Sequence, residues 1–313
     1  MNDSIISVRD LKKSYGKHLV LDGLNFEVKR GSVFALLGEN GAGKTTTVRI
    51  LSTLIQADSG SAWIAGYDVH RESRSVKQNI SLTGQYAAVD EVLTGEENLL
   101  MMGRLNHLSG HLVKKRVMEL LEQFELTNAA KKQVKTYSGG MRRRLDIAIS
   151  LLASPQVIFL DEPTTGLDPR SRRNVWELIQ QLSKDGVTIF LTTQYLEEAD
   201  QLADKIAVID GGRIVEEGTS EELKGLIGNE KIELIFDDLS SCSLALKLLE
   251  GQINESEQMI SINTCSIESL RQLLNTLYEH GIEPISVSFR KPTLDDVFMD
   301  ITSRKRKGLT TNA

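Results

Sequence analysis

The sequence predicts an α/β chain in two parts: a large domain around a sheet buried on both faces, and a small α+β domain after it. Three observations predict this. Short unbroken apolar runs, Val33-Phe-Ala-Leu-Leu37, Val157-Ile-Phe-Leu160 and Ile189-Phe-Leu191, have the length and the β-branched or aromatic content of fully covered strands. Helical patterns lie between those runs, as crossover connections between parallel strands require. Beyond Gly225 the texture changes to short segments with an acid excess, thirteen Asp or Glu against five Lys or Arg over 226–303. The 313 residues fit two domains, at roughly 100–200 residues each.

Each element has its own signal. Residues 6–16 and 19–32 alternate as strands do and close on Gly-containing turns, which predicts an antiparallel β-layer. The run 33–38 is a buried strand; a Gly-rich turn follows it, and 45–55 repeats its apolar residues at helical spacing. From about residue 94 to 153 the pattern is mainly helical, in the segments starting at Asn98, Val113 and Arg142, which predicts a helical subdomain at about 86–155 inserted before the sheet resumes. Buried strands at 157–163 and 187–193 then flank a helix around Val175 to Leu182, and 206–218 reads as an edge hairpin. The first domain is thereby placed at 1–225. Over 226–303 the order predicted is strand, helix, strand, helix, strand, helix, and 304–313 is a basic tail (Arg304, Lys305, Arg306, Lys307) expected to be disordered.

Composition excludes several classes. Hydrophobic residues make up 40% and charged residues 26%, and no run approaches the ~18 apolar residues of a bilayer span. The first residues lack the basic start and apolar stretch of a secretory signal, so the expected location is cytoplasmic. Two cysteines, Cys242 and Cys265, have no partner at metal-ligand spacing and read as packing residues. The net charge of −6 and the acidic second domain speak against a nucleic-acid partner.

The chemistry is carried by four stretches. Gly38-Glu39-Asn40-Gly41-Ala42-Gly43-Lys44-Thr45 is a complete G-x-x-x-x-G-K-T between a strand and a helix, the context a phosphate loop needs. Its glycines let backbone N–H groups face phosphates, Lys44 reaches the β- and γ-phosphates, and the Thr45 hydroxyl ligates Mg²⁺, with Thr46 beside it. At the end of the strand 157–161, Asp161 is placed to hold Mg²⁺ and Glu162 to act as general base toward water. Tyr137-Ser138-Gly139-Gly140-Met141 opens a helix whose first N–H groups form an anion site, though an Ser-Gly-Gly tripeptide is also a plain helix cap. Gly166-Leu167-Asp168 before Pro169 reads as a loop or as a simple turn.

The third stretch resembles the ABC signature, usually Leu-Ser-Gly-Gly-Gln, with Tyr137 for Leu and Met141 for Gln. The resemblance implies a P-loop ATPase of the ABC type that binds ATP and Mg²⁺ and hydrolyses ATP. It also implies a homodimer in which Ser138, Gly139 and Gly140 of one copy close on the ATP held by the other. Tyr15 then resembles the aromatic that stacks on adenine, with strand packing as its alternative. Gln85 resembles the glutamine between the Mg²⁺ site and the helical lobe, with an exposed loop amide as its alternative. Asp168 resembles the loop that crosses the dimer interface.

Gln194 departs from the pattern, standing where the family generally has a histidine after the strand 187–193. An amide can donate a hydrogen bond to the γ-phosphate but takes up no proton, which leaves the base work to Glu162. Thr192-Thr-Gln-Tyr-Leu-Glu-Glu-Ala-Asp200, Thr83-Gly-Gln-Tyr86 and Lys291-Pro-Thr-Leu-Asp-Asp-Val-Phe298 are similar to daunorubicin-type drug-exporter ATPase subunits. That similarity implies a peripheral subunit on the inner face of the cell membrane, a separately encoded permease and the export of a hydrophobic compound, as in antibiotic resistance. The alternative, a soluble ABC ATPase acting on nucleic acid or ribosomes, calls for a long heptad insertion or a second phosphate loop. The sequence has neither.

Overall fold

A computed structural model describes residues 3–84, 89–227, 231–249, 251–254, 256, 258–263 and 266–301. The chain divides into two compact units, Met1–Ser220 and Glu221–Ala313.

In the first unit, β1 (Ser4–Tyr15) and β2 (His18–Lys29) form the long hairpin that the alternation announces. The buried run becomes β3 (Val33–Leu37), and α1 (Lys44–Leu51) starts directly after the Gly-rich turn. Then come β4 (Ser59–Ile64), β5 (Tyr67–Asp68), α2 (Ser73–Asn79) and β6 (Ile80–Thr83), none of which stands out as an apolar run. The helical lobe holds α3 (Gly95–Leu105), α4 (Gly110–Gln123) and α5 (Gly139–Ser150). The sheet resumes with β7 (Val157–Asp161), α6 (Pro169–Lys184), β8 (Thr188–Thr193), α7 (Leu196–Leu202), β9 (Lys205–Asp210) and β10 (Arg213–Gly218).

These strands make two sheets. The central one has the order β10-β9-β3-β8-β7-β6 and is parallel except for the β9–β10 hairpin. The other is antiparallel, in the order β2-β1-β4-β5. One apolar core joins them. Phe26 of β2 stacks on Phe34 of β3 at 5.3 Å between ring centres, and Phe190 of β8 lies 5.4 Å from both Phe34 and Phe159. Rings at this spacing add about 0.5–1.5 kcal/mol per pair to the burial of their surface.

The consequence for the site lies in the strand ends. β3, β7 and β8 run parallel in register, with Leu37 beside Thr193 and Asp161 beside Thr192. The loops that follow all three therefore emerge along one edge, the carboxyl edge where open α/β sheets bind ligands.

In the helical lobe, Thr94 and Glu97 form a reciprocal capping box at the start of α3. The buried Asn98 amide donates to the carbonyls of Asp90 and Thr94, both at 2.9 Å, which fixes the entry to the lobe.

Helix α8 (Ser220–Gly225) spans the division between the units. In the second unit, β11 (Lys231–Ile235), α9 (Leu239–Leu248), β12 (Gln252–Asn254), β13 (Met259–Asn263), α10 (Ile267–Glu279) and β14 (Ser286–Arg290) follow in order, and residues 294–301 are helical. The sheet order β12-β13-β11-β14, antiparallel throughout, is that of a split β-α-β unit. It contains one strand, β12, more than the alternation predicts. Three residues are too few to show a period. Cys242 is buried among Phe236, Ala245 and Ile260 as a packing residue; Cys265 lies outside the described residues. The closing motif is a cap: Asp296 accepts from the Thr293 N–H and hydroxyl at 2.9 Å each, while Leu294 and Val297 are buried.

Candidate nucleotide site

The phosphate loop is shaped by close approach. A Cβ on Gly38 would sit 2.4 Å from the Ile209 carbonyl, and one on Gly43 would sit 2.5 Å from the Leu21 side chain. Gly43 also takes a φ of +112°, which side-chain-bearing residues rarely adopt. Next to Gly41 there is open space, and no side chain caps α1. The first N–H groups of α1 are thus unclaimed by a side-chain cap, as a cradle for a polyphosphate requires.

Lys44 is 4% exposed, and its Nζ donates to the carbonyls of Gly38 at 2.8 Å and Glu39 at 3.1 Å. It also lies 3.6 Å from Glu162 Oε1. Burial pulls its pKa below the ordinary lysine value, and the Glu162 carboxylate pushes back. Thr45 Oγ1 stands 3.4 Å from Asp161 Oδ1, which also accepts from the Thr192 hydroxyl. Two hard oxygen donors at the mouth of a phosphate cradle fit Mg²⁺, which keeps water and phosphate oxygens as its other ligands.

Glu162 follows the strand end with a φ of +48°, a strained value for a residue with a side chain. Its N–H is shared between the Thr192 carbonyl at 3.1 Å and hydroxyl at 3.2 Å, and its Oε2 accepts from Thr165 Oγ1 at 3.3 Å. The kink turns the carboxylate out of the strand direction and toward Lys44. Gln194 follows β8, half-buried, and its side chain has no hydrogen-bond partner among the described residues. Tyr15, at the end of β1, is 48% exposed, with Lys13 Nζ 5.8 Å from the ring centre. The structure thus brings together Lys44, Thr45, Asp161 and Glu162, residues up to 118 positions apart in sequence.

The remaining predicted residues are placed differently. Ser138 and Gly139 are exposed; Ser138 Oγ caps α5 by accepting from the Met141 N–H at 3.2 Å. Gly140 packs where a Cβ would meet the Ser171 hydroxyl at 2.7 Å. Asp168 spends both carboxylate oxygens on α6, accepting from the N–H groups of Arg170 and Ser171 at 3.0 Å each and from Ser171 Oγ at 2.6 Å. Those bonds, the Ser171 hydroxyl first, hold its pKa below the usual carboxylate value. Gln85 lies outside the described residues.

Several buried polar residues support the site without any local motif. Glu198, fully buried on α7, accepts from Thr164 Oγ1 at 2.6 Å and Trp176 Nε1 at 3.1 Å. Desolvation raises its pKa. It fastens the segment after Glu162 to α6 and α7. Arg143 is buried on α5, and its phase could have revealed it: it shares a helix face with the apolar Ile147 four residues on. Tyr137 takes the place of the usual leucine with a purpose for its hydroxyl, which donates to the Ala129 carbonyl at 2.7 Å and packs closely against Gly95.

A phosphate cradle, two magnesium-type donors and a carboxylate at one sheet edge define a P-loop ATPase. The comparisons with known proteins name its family. Residues 21–165 match the family model described as ABC transporter. The chain is 47% identical to the daunorubicin resistance ATP-binding protein DrrA3 of Streptomyces coeruleorubidus, over 98% of each chain. It is 46% identical to the doxorubicin resistance ATP-binding protein DrrA of Mycobacterium tuberculosis, over 99% of this chain and 97% of the relative. A solved ATP-binding subunit of an ABC transporter superposes with a TM-score of 0.64 and 28% identity, covering 72% of this chain and 94% of that one. The chain belongs to the ABC transporter ATP-binding subunits, in the group of the daunorubicin and doxorubicin resistance ATP-binding proteins. It binds and hydrolyses ATP as a member of that ATPase family.

Proposed function

We propose that the chain powers the export of a hydrophobic compound as a head-to-tail homodimer, seated on the inner face of the cell membrane under a separately encoded permease. The drug-resistance names of its relatives support the class of cargo. No helix among the described residues is long and apolar enough to cross a membrane. The observation that carries the motor reading is the convergence of Lys44, Thr45, Asp161 and Glu162 at one sheet edge.

In this reading the loop N–H groups and Lys44 bind the triphosphate, Lys44 exchanging its contacts with Gly38 and Glu39 for phosphate oxygens. Thr45 and Asp161 would hold Mg²⁺, joined by Gln85 as its resemblance implies, and the ion would supply charge neutralisation to the triphosphate. Glu162 Oε1 takes a proton from water, whose oxygen attacks the γ-phosphorus as the bond to the β-phosphate oxygen breaks, leaving ADP and phosphate. Gln194 donates to the γ-phosphate, and Tyr15 stacks on the adenine. The exposed Ser138 and Gly139, with Gly140, close on the γ-phosphate held by a second copy, and the Asp168 loop lies at that seam. ATP then holds two copies together, and hydrolysis releases them.

Glu162→Gln tests this directly. With ATP and Mg²⁺ the variant should elute as a dimer on size exclusion and hold its ATP, while the same protein without nucleotide elutes as a monomer. A folded variant that stays monomeric with saturating ATP contradicts the assignment of base and dimer together.

A further inference from the structure

Helix α5 carries the signature residues at its N-terminus and, one turn further on, a guanidinium that reaches the other end of the chemistry. Arg143 is 6% exposed. Its Nη1 donates to the Gly84 carbonyl at 2.8 Å and to Asp146 Oδ2 at 3.2 Å, and its Nη2 donates to the Asp161 carbonyl at 3.5 Å. Three segments meet on one side chain: the signature helix, the residue immediately before Gln85, and the strand end that carries the Asp161 carboxylate. Asp146 sits one turn along the same helix and compensates the charge; Glu198 and Asp161 add to it from α7 and β7.

A buried arginine serves this position for a geometric reason. Its planar fork spans two backbone carbonyls and a carboxylate at once, which an ammonium on a flexible stem cannot do. Its neighbour Arg144 points elsewhere, donating to the Phe124 carbonyl at 3.1 Å and to Glu125 at 2.8 Å in the helical lobe. The run Arg142-Arg143-Arg144 resembles a solvated basic face, yet its middle member is inside.

We propose that Arg143 is a positioning residue that locks the magnesium side of the nucleotide site to the signature helix of the same chain. It touches neither ATP nor the reacting atoms. It sets where the Asp161 end of β7 and Gly84 stand relative to α5. Since Ser138 caps that same helix, the lock also links the face offered to a second copy with the site in its own chain; this part rests on the dimer described above.

The test is Arg143→Lys in the full chain, with Arg144→Lys as control, reading ATP affinity with and without Mg²⁺, kcat and melting temperature. Lysine keeps the charge and loses the fork. The variant should melt within a few degrees of the parent and bind ATP without Mg²⁺ about as tightly. The tightening that Mg²⁺ confers and kcat should each fall by about tenfold, as expected for losing a charge-assisted hydrogen bond that holds geometry. Arg144→Lys should leave both within about twofold. Should Arg143→Lys fail to fold, Arg143→Met/Asp146→Asn removes the buried charges together, which folds tolerate better than half a pair, and the same loss is expected. Unchanged Mg²⁺ tightening, an equal loss in Arg144→Lys, or a loss of Mg²⁺-free affinity in step with melting overturns the proposal. Mg²⁺-dependent ATP affinity and melting temperature need no dimer, so a monomeric Glu162→Gln would remove the link to a second copy while leaving the lock within the chain to be judged by those two readings.

Discussion

On the phosphate-loop side, Lys44 and Asp161 are buried, Glu162 is nearly so, and each is already engaged by neighbours on strands that the core holds rigid. On the signature side, Ser138 and Gly139 stand exposed at a helix start, held from behind by Tyr137 and Arg143. One side is an enclosed polar cluster with its own internal partners. The other is an exposed helix start whose bonds, from the Met141 and Arg142 N–H groups to Ser138, stay within its own first turn. The difference teaches that charge chemistry and charge recognition need different supports: the first needs desolvation and close pairing, the second only a well-placed helix start.

Three substitutions sharpen this contrast. The largest effect is expected at the enclosed side, where Lys44→Ala should lower ATP turnover by a factor on the order of 10²–10³, since the donor it removes has no substitute nearby. Steady-state phosphate release checks it; a loss below about tenfold would mean that the loop N–H groups suffice without the ammonium.

The next is at the support of the exposed side. A Cβ on Gly95 would stand 2.3 Å from the Tyr137 hydroxyl. Gly95→Ala should therefore cost about 1–3 kcal/mol in denaturant unfolding, and much of that cost should vanish in the Tyr137→Leu background. Additive costs would show that the hydroxyl does not hold the signature loop against α3.

The smallest effect is expected from Gln194→His, which restores the residue usual in the family. Turnover should stay within about tenfold of the parent, roughly 1.4 kcal/mol of barrier, because Glu162 carries the base role. Abolished turnover in a folded variant would show that the glutamine is specifically required.

Much of this architecture was legible because it is written locally. The Gly38–Thr45 loop, the strand ending in Asp161 and the Ser138 helix start are contiguous stretches whose neighbours in sequence are also their structural context. The strands β4, β5 and β6 were not legible: Ile80–Thr83 is short and partly buried, and its place at the edge of the central sheet comes from pairing with β7. Glu198 and Arg143 are masked by their neighbours instead. In Leu196-Glu-Glu-Ala-Asp200 and Arg142-Arg-Arg144, charges cluster as they do on solvated faces, and only the helix phase sends one of them inward. In the second unit the strand and helix segments other than β12 could be read, but the split β-α-β order could not, because it is fixed by which strands pair.

The central claim is that the exposed signature side of one chain completes the enclosed site of another. Mixing two defective proteins tests it most directly: Lys44→Ala, with a damaged loop and an intact signature, and Ser138→Arg, with the reverse. Each alone should be inactive. The mixture should recover turnover, since half of the sites in a mixed dimer pair an intact loop with an intact signature. No recovery from two folded proteins that do associate would contradict the claim and place the whole site within a single chain.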